Sequence, residues 1–453
     1  MNHSYEGLDR AGGFSRVRLL APLAHRDYRL LVGGMSVSLL GDGLFLVALA
    51  WQVYAISNAP TALGMVGIAM TVPTITCLLI GGAVSDRHDR RRVMLTADAV
   101  RAVLLAALAA LSLTGSLRLV ELIAIAVVYG AATAFFDPAS DAIVPQLLPA
   151  ESLAQANSLD QLIRPLALRL AGPALGGALI SVVGTGWAFG LDGVSFVVSA
   201  VTLLAMAPLA RPGAGGAGGA GGAGEAGGAG EAGGDGSVGR EIAAGLRYVR
   251  GHAWLWATLV SAAIAYLLFM GPTEVLLPFL VKNHLHAGAR DLGLIFGAGG
   301  LGSLACAIVL GQRGLPRRTM TFIYVVWTVA TLAVAGYGLA SGLWGLMLAS
   351  VVFNTLETAG TVAWATAKQR HVPAALLGRV SSLDWLISIG LLPVSYALVG
   401  PVSAAIGVRT TLIAAGLLGA AVTFAPLLLP SVRAVDGADV RPPATDLLAD
   451  LGV

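Results

Sequence analysis

Apolar residues occur in long runs along the chain, and short polar segments rich in Pro and Gly separate these runs. Each run holds about twenty residues, which is the length that an α-helix needs to cross the hydrocarbon core of a bilayer. The pattern therefore predicts an all-α polytopic membrane protein with twelve transmembrane helices. The predicted spans lie near 30–55, 61–84, 93–114, 119–137, 161–183, 187–208, 254–281, 291–311, 319–340, 343–367, 376–402 and 409–430.

The composition supports this interpretation, because 56% of the 453 residues are hydrophobic and only 12% are charged. In soluble domains about 25% of the residues are charged. Cys77 and Cys306 both lie within apolar runs, where a role as small buried hydrophobic residues is favoured. The sequence has no Cys-x-x-Cys or His-Glu-x-x-His pattern and no phosphate loop. We therefore expect no cofactor, no metal site and no nucleic-acid partner, and we do not expect an enzyme.

The distribution of Lys and Arg predicts the orientation in the membrane. If the N-terminus is cytoplasmic, most basic residues fall in the inner segments, and the net charge of +3 needs no anionic partner to explain it. The outer segments then hold Arg118, Lys282, Arg290 and Arg409. This bias predicts a multi-pass protein of the inner (plasma) membrane with both termini in the cytoplasm. The N-terminal segment is polar and Arg-rich, so we expect no cleavable signal peptide.

A segment of nearly pure Gly and Ala, 212–236, divides the twelve runs into two sets of six. Such a segment cannot form a hydrophobic core, so it is predicted to be a flexible tether. The predicted organisation is a cytoplasmic N-terminal segment 1–29, a first half 30–210, a linker 211–240, a second half 241–431 and a cytoplasmic tail 432–453.

The two predicted halves resemble each other in sequence. Residues 149–163 align with 373–387, and both segments carry Ser-Leu-Asp followed by Leu-Ile. Leu63-Gly64 similarly aligns with Leu292-Gly293. These matches suggest a duplicated six-helix unit, as in transporters built from two parallel repeats.

A cluster of charges interrupts the apolar pattern between the second and third runs, at residues 82–91. Five charges this close together cannot lie in hydrocarbon, so we place the cluster at a membrane face. Its pattern, Gly-x-x-x-Asp-Arg-x-x-Arg-Arg, resembles the signature loop of the major facilitator superfamily, with Asp89 where Gly is usual. The resemblance implies a cytoplasmic latch between the halves, made by Gly82, Asp86, Arg87, Arg90 and Arg91. The arginines can pair with acids such as Asp137, near the inner end of the fourth predicted span. A simple positive-inside anchor is the alternative interpretation.

The fifth run contains Gly172-Pro173-Ala-Leu-Gly176-Gly177, which is similar to the core of the antiporter motif of exporters in the superfamily. Small residues permit close helix approach, and Pro173 frees a backbone carbonyl and kinks the helix. Ordinary small-residue packing is the alternative. A glycine-rich run in the eighth span, 297–302, is a candidate packing partner.

Several ionisable residues lie within predicted spans, where each is costly unless it faces a cavity or a partner. Asp98 and Arg101 are three residues apart on one helix, so we expect a structural ion pair. Asp42, Glu274 and Glu357 have no such neighbour. They are the candidates for binding protons or a cationic substrate, although a structural role is an equal alternative for each.

Further segments, such as Phe135-Phe-Asp-Pro-Ala139 and Gly41-Asp42, resemble the branch that contains macrolide-type drug exporters and siderophore exporters. The resemblance implies a transporter that exports an amphipathic organic compound, drug- or antibiotic-like, by proton antiport and alternating access. We expect it to be a monomer. The implied partners are a small-molecule substrate, protons and the lipid bilayer. The alternatives are a dedicated exporter of one host metabolite, such as a siderophore, and a membrane sensor or enzyme on a transporter-like scaffold.

Overall fold

The structure, a computed structural model, describes residues 18–207 and 246–437. Within these residues, twelve helices are long and apolar enough to cross a membrane, which confirms the predicted fold class. Their bounds are α1 Arg26–Ile56, α2 Pro60–Arg87, α3 Arg90–Leu113, α4 Leu119–Leu147, α5 153–183, α6 Thr185–Ala205, α7 Ala253–Asn283, α8 Ala289–Arg313, α9 Thr319–Leu339, α10 Leu343–His371, α11 374–406 and α12 Val408–Leu428.

The predicted linker 211–240 lies outside the described residues, as do most of the N-terminal segment and of the C-terminal tail. Several short helical segments are described next to the spans. Arg18–Ala24 forms a 3-10 helix before α1, and residues 246–251 are helical just before α7.

The helices form two compact units, and each has the same pattern of helix pairs. In the first unit, α1 packs against α5 and α6, and α3 packs against α6. In the second unit, α7 packs against α11 and α12, and α9 packs against α12. Each of these contacts in the first six helices thus has a counterpart between helices numbered six higher. Two six-helix pseudo-repeats require this correspondence. The first unit also contains Val275–Leu304 and Ser341–Val351. The domain boundaries given above remain predictions.

The fourth span is longer than its apolar pattern predicts. The expected end at residue 137 is wrong, because α4 continues to Leu147 through Pro138 and Pro145. Proline is tolerated in such helices where neighbouring groups take over the freed backbone carbonyls. Asp137 thus lies ten residues, or about 15 Å, before the end of the helix. It is an interior residue of the span and does not mark its end.

The connection between α2 and α3 is only two residues long. The first residues of the signature pattern, including Gly82, belong to the last turns of α2, and the non-helical residues are His88 and Asp89. Asp89 has φ −62°, and its carboxylate accepts a hydrogen bond from the backbone N–H of Arg91 at 3.0 Å. It is therefore the N-cap of α3, and this turn does not require the glycine that is usual at the position.

α5 changes its helical winding in the middle. Leu166–Ala171 is a π-helical stretch, in which the N–H of Gly172 donates to the carbonyl of Ala167. The physical cause is Pro173, which has no N–H to donate to the carbonyl of Arg169. The predicted release of a backbone carbonyl by Pro173 agrees with this geometry. A second π-helical stretch, Pro272–Leu276, interrupts α7.

Candidate functional site

Asp42 lies sixteen residues after the start of α1, about 24 Å along a helix of 31 residues. Its two neighbours are glycines, and both are required by close packing. A Cβ atom at Gly41 would lie 2.2 Å from Asp192 Oδ1, and one at Gly43 would lie 2.7 Å from the Cα of Gly172. The Gly-Asp-Gly sequence therefore lets α5 and α6 approach α1 on either side of the carboxylate.

Asp42 lines a cavity of about 270 Å³ within the first unit. We call it the Asp42 cavity. Side chains of α1, α2, α3, α4 and α5 form its wall, and apolar residues such as Leu39, Phe45 and Met70 cover much of it. Its principal polar residues are Asp42, Arg101, Tyr129, Thr133, Asp137 and Arg164.

The carboxylate of Asp42 accepts a hydrogen bond from the phenolic hydroxyl of Tyr129 at 2.6 Å. The ring of Tyr129 is buried and stacks on Phe45 with a centroid separation of 5.1 Å. Because packing fixes the ring, the hydroxyl is held in place toward the carboxylate. Sequence reasoning did not identify Tyr129 as a site residue.

Arg101 is held rigidly in the wall of the same cavity. Its Nη2 lies 2.5 Å from Asp98 Oδ1, and both side chains are buried. The guanidinium also lies between two aromatic rings, 4.2 Å from the centroid of Phe136 and 4.3 Å from that of Phe196. The predicted ion pair of Asp98 and Arg101 is confirmed.

Asp192 on α6 is completely buried behind Gly41. Its Oδ1 accepts a hydrogen bond from the hydroxyl of Ser195 at 3.1 Å, and its Oδ2 has no hydrogen-bond partner in the described part of the chain. A buried carboxylate in hydrocarbon is costly without partners.

Asp137 and Arg164 enter the site from α4 and α5. On α4, Tyr129, Thr133 and Asp137 are spaced by four residues and lie on one face, which lines the cavity. The predicted contact of Asp137 with the signature arginines is not among the described contacts. The spacing of polar residues along α4 is the sequence signal that could have placed Asp137 here.

The other two candidate carboxylates belong to the second unit. Glu274 lies in the π-helical stretch of α7 and accepts a hydrogen bond from the hydroxyl of Tyr396 on α11. Glu357, on α10, is partly exposed and accepts a hydrogen bond from the hydroxyl of Thr361 at 3.0 Å. Asp42 and Glu274 therefore share one arrangement, a carboxylate that receives a tyrosine hydroxyl. Their roles, like that of Glu357, remain predictions.

The signature arginines contact backbone carbonyls within the first unit. Arg90 Nη1 donates to the carbonyl of Ala142 on α4 at 2.6 Å. Arg91 donates to the carbonyls of Leu203 and Leu204 at 2.6 and 2.7 Å, at the C-terminal end of α6, where a cation stabilises the helix.

The remaining residues of the predicted latch are described in part. Arg87 is exposed at the end of α2, and a Cβ atom at Gly82 would meet no atom within 4 Å in the described part of the chain. The backbone of Asp86 is helical, but its side chain lies outside the described residues. The latch between the halves remains a prediction.

The antiporter-like motif packs α5 against α1 and α8. A Cβ atom at Gly176 would lie 3.0 Å from the Cα of Leu44, and one at Gly177 would lie 2.6 Å from the carbonyl of Ala289. A Cβ atom at Gly300 of α8 would lie 2.4 Å from the carbonyl of Arg169, four residues before Pro173. Gly297 and Gly300, from the predicted partner run, thus lie against α5, together with Gly293.

The described residues contain no group of three or more His, Cys, Asp or Glu side chains that could hold a metal ion. The lining of the Asp42 cavity offers carboxyl, phenol and guanidinium groups. These groups can exchange protons and bind cationic or hydrogen-bonding molecules.

The chain is similar in sequence to known membrane proteins. A family model described as Major Facilitator Superfamily matches residues 31–388. The "Multidrug efflux pump Tap" of Mycolicibacterium fortuitum is 28% identical over 417 residues, covering 87% of this chain and 94% of the relative. The "Enterobactin exporter EntS" of a Citrobacter koseri strain is 23% identical, covering 79% of this chain and 81% of the relative.

Solved structures give the same fold. A bacterial homologue of the iron transporter ferroportin, in an inward-facing state, superposes with a TM-score of 0.64 at 16% identity, covering 89% of this chain and 99% of that protein. The family model spans most of the chain, and the family consists of membrane transporters, which excludes the enzyme alternative. The chain therefore belongs to the major facilitator superfamily.

Proposed function

We propose that this transporter exports an amphipathic organic compound, drug- or antibiotic-like, in exchange for protons by alternating access. The observation that carries the proposal is the Asp42 cavity of the first unit, where a carboxylate that receives the Tyr129 hydroxyl lies among apolar and basic side chains. Relatives named as a multidrug efflux pump and as an enterobactin exporter support the direction of transport.

The lining of the cavity favours an amphipathic substrate. Its volume, about 270 Å³, is slightly below the roughly 300–1,000 Å³ of pockets that enclose a drug-sized molecule. The cavity therefore suits one end of such a molecule. The aromatic and aliphatic wall would contact apolar groups, while Asp42 and Asp137 would receive a cationic or hydrogen-bonding group.

The proposed coupling uses the same carboxylate. A proton on Asp42 removes its negative charge and turns it from an acceptor into a donor of hydrogen bonds. Proton binding and binding of a cationic substrate would then compete at one site, which is the requirement for exchange. Glu274, with its Tyr396 partner, is the corresponding candidate in the second unit.

The proposed setting is the inner membrane, with both termini in the cytoplasm and the protein acting as a monomer. The concentration of Lys and Arg in alternate connections supports this orientation. It places the short turn between α2 and α3 at the cytoplasmic face.

A dedicated exporter of one metabolite, such as a siderophore, is the second candidate. The relative named as an enterobactin exporter favours it, since that name specifies one compound. The two candidates differ in the number of compounds that the protein exports, which can be measured directly.

The test combines cells with purified protein. A deletion strain and its complemented parent would be compared for susceptibility to a panel of antibiotics and dyes and for metabolites released into the medium. A compound identified in this way would be followed in proteoliposomes under an imposed pH gradient. We expect the gradient to drive export of several amphipathic compounds. Export of one metabolite alone would favour the second candidate. An export rate that does not depend on the pH gradient would contradict proton exchange.

A further prediction concerns the latch. We expect Asp86→Asn to reduce transport strongly while expression and membrane insertion stay near wild type, because the change removes a charge without altering the size of the side chain. Asp89→Asn is the matched control, since Asn also serves as an N-cap. Transport assays on both variants at equal protein level make the comparison. Normal transport by Asp86→Asn would eliminate the latch assignment.

A further inference from the structure

A second cavity, of about 210 Å³, lies in the first unit beside the first. We call it the Asp160 cavity. Tyr28 from the start of α1, Val144 from the last turn of α4 and Asn157 from the start of α5 line it, so it lies at the end of the unit that carries the turn between α2 and α3. Its wall also contains Asp141 and Asp160.

The two cavities share part of their wall. Met35, Leu39 and Arg164 line both of them. Met35 and Leu39 are apolar, so Arg164 is the charged group at the junction. On one side of it lie Asp141 and Asp160, and on the other lie Asp42 and Asp137.

The two arginines of the Asp42 cavity are held very differently. Arg101 is buried, paired at 2.5 Å and enclosed by two aromatic rings. Arg164 has a single described ion pair, Nε to Asp160 Oδ2 at 3.5 Å, and the two side chains are 40% and 39% exposed. A pair this exposed contributes about 0–1 kcal/mol. Arg164 can therefore change partners at little cost, whereas Arg101 cannot.

The second half holds the corresponding acid differently. The sequence alignment of the halves relates Asp160 to Asp384. Asp384 is fixed by Lys368 Nζ at 2.5 Å and by the indole N–H of Trp364 at 2.9 Å. At the next position beyond the aligned segments, Arg164 corresponds to Ser388, which has no charge. The described ion pair of Asp384 is thus largely buried, whereas that of Asp160 with Arg164 is exposed.

We propose that Arg164 is a gate for protons between the two cavities. This inference rests on the proposed proton exchange. In the arrangement described here, its positive charge at the junction opposes the passage of a proton, as a fixed cation does in selective pores. A proton released from Asp42 would pass through water to the carboxylate of Asp137 and then to Asp141 or Asp160, and no other bond changes.

The gate would work by exchange of ion-pair partners. Arg164 lines both cavities, with Asp42 and Asp137 in one and Asp141 and its partner Asp160 in the other. Of the other charged or titratable groups around it, Tyr28 lies across the Asp160 cavity and Arg101 across the Asp42 cavity. When the carboxyl groups of the Asp42 cavity lose their protons, they attract the guanidinium. When they are protonated, it returns to Asp160.

The test measures proton leak in the absence of substrate. Proteoliposomes would hold a pH-sensitive dye, and a potassium gradient with valinomycin would drive proton entry. We expect Arg164→Gln to raise the leak several-fold over wild type, and Arg164→Lys to keep it low because the charge is retained. Arg169→Gln is the matched control, since Arg169 lies on the same helix, is exposed and lines neither cavity.

Asp160→Asn supplies an independent readout if Arg164→Gln does not fold. This variant removes the carboxylate that pairs with Arg164 and leaves the positive charge of Arg164 in place. We therefore expect slow gradient-driven export without proton leak. A folded Arg164→Gln protein that does not leak would overturn the gate, as would an Asp160→Asn protein that exports at the wild-type rate. Failure of the pH gradient to drive export by the wild type would instead overturn the proposed function, and the leak comparison would still decide the role of Arg164.

Discussion

Replacement of Asp42 by Asn should abolish export against a concentration gradient while substrate binding survives. Asn keeps the size of the side chain and can still accept the Tyr129 hydroxyl, but it cannot gain or lose a proton. One unit of pH difference is worth about 1.4 kcal/mol per proton and sustains roughly a tenfold concentration ratio in a one-to-one exchange. The variant should lose this accumulation and still exchange labelled for unlabelled substrate.

The measurement is substrate accumulation in proteoliposomes under an imposed pH gradient, beside exchange without a gradient. Glu274→Gln and Glu357→Gln would be assayed in parallel. We expect Glu357→Gln to have the smallest effect of the three, because Glu357 receives a hydroxyl from its own helix, whereas Asp42 and Glu274 each receive a tyrosine hydroxyl from another helix. Full accumulation by all three variants would show that the proton site lies elsewhere or that protons are not the coupling ion.

Addition of a single methyl group at Gly177 should destabilise the first unit. A Cβ atom there would lie 2.6 Å from the carbonyl of Ala289 and 2.9 Å from the Cα of Gly293, so backbone must move to accommodate it. Overpacking of this kind costs about 1–3 kcal/mol. We therefore expect Gly177→Ala to lower the thermal unfolding midpoint in detergent and to reduce transport.

Gly190→Ala is the matched control for this substitution. Gly190 lies in α6, and a Cβ atom there would meet its nearest neighbour, the Cβ of Ala109, at 3.8 Å, which is ordinary van der Waals contact. The control should unfold at the wild-type midpoint or slightly above it, since Ala favours helix. Equal midpoints for Gly177→Ala and wild type would contradict the close packing of α5 on α8.

The fold was predictable because the bilayer imposes a length and a polarity on every span. The apolar pattern predicts too short a fourth span, because the run of apolar residues stops at Asp137 and Pro138. In the structure, Asp137 faces a cavity and α4 continues for ten more residues. Polar residues on a cavity-lining face look like a helix end when apolar length alone is counted.

The candidate site was predictable only in part. Asp42 was recognised because a lone acid in an apolar run is costly, but Tyr129 was not, since a tyrosine in a span carries no such penalty. Its role depends on the contact with α1 across 87 positions of the sequence. Arg164 was similarly missed, because only the three-dimensional packing shows that it lies between two cavities. Tertiary contacts of this kind leave no signal in the periodicity of one helix.

Because of its π-helical stretch, the number of residues in α5 determines how its two ends are rotated relative to each other. Such a stretch holds one residue more than the α-helical turn it replaces, and each residue turns the helix by about 100°. It lies between the part of α5 that carries Arg164 and the glycine face that begins at Gly172. Deletion of one residue between Arg164 and Gly172 would rotate either Arg164 away from the cavities or the glycine face away from its neighbouring helices. None of these side chains would change chemically. Divergence along this segment should therefore proceed by substitution and not by insertion or deletion.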